Sequence, residues 1–191
     1  MSSNSVLEAI RTRRTVRDYT DKPISRDLLT GWLEAACWAP NHRLTEPWRF
    51  IVLKHGGAKR EEVAQMCRNH SFATSEQLPE PKRNETADAS RDEILSAPGF
   101  VYVYSLVGDD EVTRKENYAA TSCAVQNLSL AAHADGFAVG WSTGRATQLE
   151  GLASVIGADE SWEMVGILFM GEPERVPRAQ RQPMEDVVSW I

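Results

Sequence analysis

Four short runs with the length and composition of β-strands punctuate the chain: WRFIVL at 48–53, FVYVYSLV at 100–107, FAVGWSTG at 137–144 and WEMVGILFMG at 162–171. Helical patterns separate them. A strand that is apolar on both faces must be covered on both faces, so the alternation predicts a sheet lying between layers of helices. The 191 residues, 42% of them hydrophobic, are enough for one domain, 1–191, with a large core.

The helical signals have identifiable starts and stops. Ser5-Val6-Leu7-Glu8 has capping-box spacing, followed by Val6, Ala9 and Ile10 on one face. A second helix begins near Ser25, presents Leu28, Leu29, Trp32, Leu33 and Ala36, and stops before Pro40. AKREEVAQMCRNH, 58–70, reads as a mostly exposed third helix. Residues 71–92 are polar and proline-bearing, which predicts a mobile loop or a loosely packed lid within the domain. From Asn117 to Asp135, Ala119, Ala120, Cys123, Ala124, Ala131 and Ala132 alternate with larger apolar residues. That predicts a helix buried all round, packed closely against another helix or a partner subunit and ended by Gly136. Thr147 to Glu150 repeats the capping box before a helix that Gly157 stops.

Several function classes are excluded on composition. A formal net charge of −6 argues against a nucleic-acid partner, which calls for a basic face. No apolar run approaches the roughly 20 residues of a membrane span, and the N-terminus lacks the pattern of a signal peptide, so we expect no membrane partner and a cytoplasmic location. Cys37, Cys67 and Cys123 lack both disulfide and zinc spacing and read as inert, buried thiols. GxGxxG, GxxxxGK[ST], HExxH and GxSxG motifs are absent, and no metal site is expected.

Against this acidic background RRTVRDY, 13–19, gathers three arginines and a threonine. A charge run by itself is usually a solvated face. The other reading is an anion, because guanidinium groups pair bidentately with phosphate. The motif lies at the C-terminal end of a helix, where the dipole does not attract anions, so side chains would have to hold the ligand.

RRTVRDY, APNHRLTEPWRFIVL, TSCAVQNLSLAAHADGFAVGWSTG, VGILFMGEPE and RQPMEDVV, in this order, resemble the nitroreductase family of FMN-dependent oxidoreductases, and APNHRLTEPW is similar to its short YdjA-like branch. The resemblance implies an α+β, three-layer fold with a mixed central sheet flanked by helices, in an intertwined homodimer binding two FMN molecules at its interface. It also implies NAD(P)H as electron donor and a nitroaromatic, quinone or related small-molecule acceptor, reduced in a ping-pong cycle.

Residue by residue, Arg13 and Thr15 match positions that hold the FMN phosphate, Arg17 a basic position near the pyrimidine edge, and Arg181 a further phosphate arginine. Arg14 belongs to the same motif. Asn41, His42 and Leu44 fall in a loop contributed by the other subunit, where the family often has serine at 41, asparagine at 44 and glutamine at 46. Trp141, Ser142 and Thr143 match the segment running past the central ring, whose glycines permit close approach. No side chain stands out as an acid or base, so none is named as catalytic. A flavin carrier or sensor, another FMN enzyme of the same fold, and a dimerising adaptor without flavin are the competing readings.

Overall fold

The computed structural model describes residues 4–191. Its four strands form one sheet in the order β1 (Trp48–Val52), β2 (Gly99–Ser105), β4 (Glu163–Gly171), β3 (Ala138–Ser142). Period-two alternation divides the side chains of β2 between two cores. Val101 and Val103 face Trp32 of α2 (Arg26–Cys37) and Ala124 and Leu128 of α5 (Glu111–Ala134). Phe100, Tyr102 and Tyr104 face Val63 of α3 (Ala58–Ala73), Ile94 of α4 (Glu80–Ser96) and Leu152 of α6 (Leu152–Ile156). The result is the three-layer α+β arrangement that the strand runs predict.

In β4, Val165 and Leu168 share a face although they lie three positions apart. Val103 pairs with Gly166, whose φ is 150°, but Tyr104 pairs with Met164, so the register shift leaves Val165 as the extra residue that makes this pairing fit. All three strand pairings are antiparallel. The mixed sheet expected from the family resemblance is therefore not found among the described residues.

Two helical expectations change. Residues 71–92 are not a loop: α3 runs on to Ala73 and α4 occupies most of the rest. α4 buries only Ala87 and Ile94 fully, with Leu95 part-buried, and polar pairing supplies what hydropathy does not show. Arg68 binds Asp88 at 2.6 Å, Arg83 donates to the Phe72 carbonyl at 2.6 Å with its guanidinium 3.9 Å from the Phe72 ring centroid, and the Ser71 and Ser90 hydroxyl oxygens are 3.0 Å apart. The long helix α5 buries Ala120, Ala124, Val125 and Leu128, whereas Ala119, Cys123 and Gln126 form an exposed stripe, so it is not covered all round within this chain.

The remaining local signals vary in accuracy. Ser25 caps α2, accepting the Leu28 N–H at 3.2 Å, and Gly136 ends α5 with φ of 84°. α1 (Asn4–Thr12) starts before Ser5, so that residue is not its cap. Thr147 sits in a single 3-10 turn and donates to the Gly144 carbonyl at 2.8 Å instead of capping a helix; the helix that follows is only one turn long. Cys67 is buried, but Cys37 and Cys123 are exposed, and all three are free thiols.

Candidate active site

After α1 the chain leaves its helix and passes beside β3 and β4. Val16 anchors it by burying its side chain, and Tyr19 locks it. The Tyr19 hydroxyl lies 2.6 Å from the Val16 carbonyl oxygen and 2.9 Å from that of Phe169, while its ring rests on Gly171, where a Cβ would come within 2.7 Å of it. Burial pushes the Tyr19 phenol above its ordinary range, so it stays a neutral donor. With Val16 and Tyr19 of this strap held down, Thr15 and Arg17 are exposed and Arg13 is half-buried.

Around its start, like charges converge. Burial depresses the Arg13 pKa, and the neighbouring Arg181 and Arg14 guanidiniums depress it further. Arg14 turns one nitrogen to the carbonyls of Arg11 and Arg13, at 2.6 and 2.8 Å. Among the described residues none of Arg13, Arg14 and Arg181 forms an ion pair. Cations gathered without a carboxylate are the arrangement an anion would stabilise. His133 of α5 closes this corner, 2.8 Å from the Thr12 hydroxyl; burial, then Arg13 and Arg14, lower its pKa and favour the neutral ring.

Beside the strap lies a cavity of about 540 Å³ lined by Arg17, Ser142 and Gly144, together with Ser90, Glu93 and Arg145. Arg17 Nη1 stands 3.5 Å from Glu93 Oε1. Arg145 donates to the Ser71 hydroxyl at 3.0 Å, tying the loop after β3 to the helix pair. Glu93, Arg145 and Ser90 were not identified from the sequence, since Ser90 belongs to the stretch read as loop and no motif marks the other two. A larger hollow of about 740 Å³, between α2 and the end of β1, contains none of the expected site residues and is mainly apolar.

The 41–46 loop is strained: Arg43, Leu44 and Glu46 all have positive φ, at 54, 53 and 42°. Such conformations persist where the surroundings enforce them and concentrate at functional positions. Asn41 accepts the Glu46 N–H at 3.0 Å, Thr45 donates to Asn117 at 2.9 Å, and His42 and Leu44 are exposed. The loop is thereby tied to Asn117 on α5, while the arginine corner adjoins His133 on the same helix. Sixteen residues at 1.5 Å each separate the two by about 24 Å along the helix axis. Within one chain, Asn41, His42 and Leu44 are therefore not brought to Arg13, Arg14, Thr15 and Arg181.

The expected β3 residues also divide. Ser142 lines the cavity, and its hydroxyl accepts the Gly144 N–H at 3.2 Å. The Trp141 side chain is committed to the sheet, donating to the Val165 carbonyl at 3.2 Å and lying against Gly166. The residue is still 38% exposed. Thr143 is exposed, and its carbonyl accepts the Thr147 hydroxyl at 3.3 Å. Among the described residues no cluster of His, Cys, Asp and Glu could hold a metal ion, and no helix is long and apolar enough to cross a membrane.

Residues 10–172 match the model of the nitroreductase family. The chain belongs to that family. It is 30% identical over 186 residues to YfhC of Bacillus subtilis, provisionally named an NAD(P)H nitroreductase, an alignment covering 96% of this chain and 93% of YfhC. A Bacillus cereus structure described as nitroreductase-like superposes with a TM-score of 0.85 at 30% identity, covering 100% of this chain and 98% of that one. A Desulfovibrio desulfuricans protein, provisionally named a nitroreductase and solved with FMN, gives 0.73 at 25% identity over 98% and 96% of the two chains.

Proposed function

We propose that this protein is an FMN-dependent oxidoreductase that uses NAD(P)H to reduce a small acceptor of the nitroaromatic or quinone type, and that it works as a cytoplasmic homodimer. The observation that carries this reading is the arginine corner: Arg13, Arg14 and Arg181 without a carboxylate, beside a cavity of flavin-accommodating size that contains Arg17 and Ser142. Both features suit FMN, whose phosphate is a dianion or nearly so and whose ring system is flat and largely apolar.

In this reading Arg13, Thr15 and Arg181 hold the phosphate, Arg14 shapes the strap, Arg17 lies at the pyrimidine edge, and the Trp141–Thr143 backbone runs along the central ring. When bound, FMN would supply the redox chemistry, a hydride exchange between NAD(P)H and the acceptor in a ping-pong sequence. The side chains bind and orient; none acts as an acid or base. Asn41, His42 and Leu44 reach a site only from a second copy, which the 24 Å separation and the exposed Ala119, Cys123 and Gln126 stripe support. Three free thiols suit a reducing compartment.

The absorption spectrum of the purified protein after incubation with FMN, followed by NADH and NADPH consumption with a quinone acceptor, tests the proposal. Uptake of FMN and turnover with either nucleotide are expected. A protein that stays colourless would overturn the flavin assignment, and a yellow protein without turnover would identify a flavin carrier instead.

A further inference from the structure

The cavity beside the strap holds two cations, Arg17 and Arg145, and one anion, Glu93. Glu93 belongs to α4, fixed there by Ile94 beneath it, whose carbonyl accepts the buried Arg60 side chain at 2.8 Å. Its carboxylate is half exposed, lines the cavity and pairs with Arg17 at 3.5 Å. Neither group has another ion-pair partner among the described residues.

We propose that Glu93 sets the redox balance of the flavin by offsetting the positive charge of Arg17 at the cavity, so that the reduced cofactor is held less tightly than Arg17 alone would hold it. The inference rests on the flavin reading above and assigns Glu93 a tuning role at the same site. Reduction adds negative charge to the flavin ring. A cation beside it favours the reduced form, and an anion opposes it. Once a ligand fills the cavity and displaces water, both interactions strengthen, because the effective dielectric falls. Glu93 and Arg145 also bear with opposite sign on Cys67, which lines the same cavity: after burial, the Glu93 charge raises its pKa and Arg145 lowers it.

The test uses the full chain loaded with FMN and measures the midpoint potential by dye equilibration for wild type, Glu93→Gln, Glu93→Asp and Glu93→Gln with Arg17→Gln. Glu93→Gln is expected to raise the potential by about 30 mV, the shift produced by tenfold tighter binding of reduced relative to oxidised FMN in a two-electron couple. Glu93→Asp, which keeps the charge, is expected to stay near wild type. Adding Arg17→Gln should reverse most of the gain. An unchanged or lowered potential in Glu93→Gln would overturn the assignment while leaving the flavin reading intact. Failure of wild type to take up FMN would remove both.

Discussion

Gly140 and Val16 approach so closely that a Cβ on Gly140 would come within 2.6 Å of the Val16 carbonyl oxygen. This contact seats the arginine-bearing strap on β3, and it leaves no room for a side chain. Gly140→Ala should force the strap outward and cost about 1–3 kcal/mol, the range for inserting a methyl group into a packed site. Denaturant unfolding measures the loss. FMN uptake should weaken with it, since Arg13 and Arg17 move with Val16; unchanged stability would show that the strap shifts freely.

The phosphate assignment separates FMN from riboflavin. Arg13→Ala should weaken FMN by about 10- to 150-fold, equivalent to the 1.5–3 kcal/mol of a hydrogen bond to a charged group, while riboflavin binding changes little. Fluorescence titration of both flavins gives the comparison. Equal losses would show that Arg13 does not meet the phosphate.

His133 makes stability depend on pH. Its folded pKa is held below the ordinary 6.5 by burial and by Arg13 and Arg14, so the unfolded chain binds a proton more readily. Stability from this group is present above pH 6.5 and is lost as the pH falls through the lower, folded value. Thermal unfolding at pH 7.5 and 5.5 should show a larger drop for wild type than for His133→Gln. Inorganic phosphate should reduce the difference by drawing off the arginine charge.

The exposed stripe on α5 gives the dimer a direct test. Cys123→Trp should separate subunits, since overpacking costs about 1–3 kcal/mol and is felt twice across a symmetric contact. Ala124→Trp should lower fold stability instead, because Ala124 is fully buried in its own chain. Sedimentation with flavin absorbance distinguishes the two. A Cys123→Trp monomer that retains FMN with full affinity would show that the loop bearing His42 is not shared between copies.

Arg60 is a stability prediction independent of function. It is 1% exposed and donates to the carbonyls of Ile94 and Ala97, closing the end of α4. Burial pushes its pKa down to about 10, so it remains charged at neutral pH. Arg60→Ala would leave two buried acceptors without a donor, at about 1–3 kcal/mol each. Hydrogen exchange in α4 should accelerate before that of β2.

What the sequence by itself determined is what local pattern encodes. The four strands fall where their apolar runs lie, Ser25 and Gly136 delimit helices through their own backbone preferences, and the ordered motifs carry the family. Local reading fails where stabilisation comes from distant polar partners. Residues 71–92 look like loop because α4 is held by polar contacts to Arg68, Ser71 and the Phe72 carbonyl of α3, the last through its own Arg83, and not by an apolar stripe. Glu93 gains meaning only from Arg17, 76 positions away. The tertiary structure alone placed Asn41, His42 and Leu44 at one end of α5 and the arginine corner at the other. Spacing along a chain carries no information about which end of a folded helix a loop will reach; that follows from the side-chain contacts, Thr45 with Asn117 and Thr12 with His133, which fix the two ends of α5 in space.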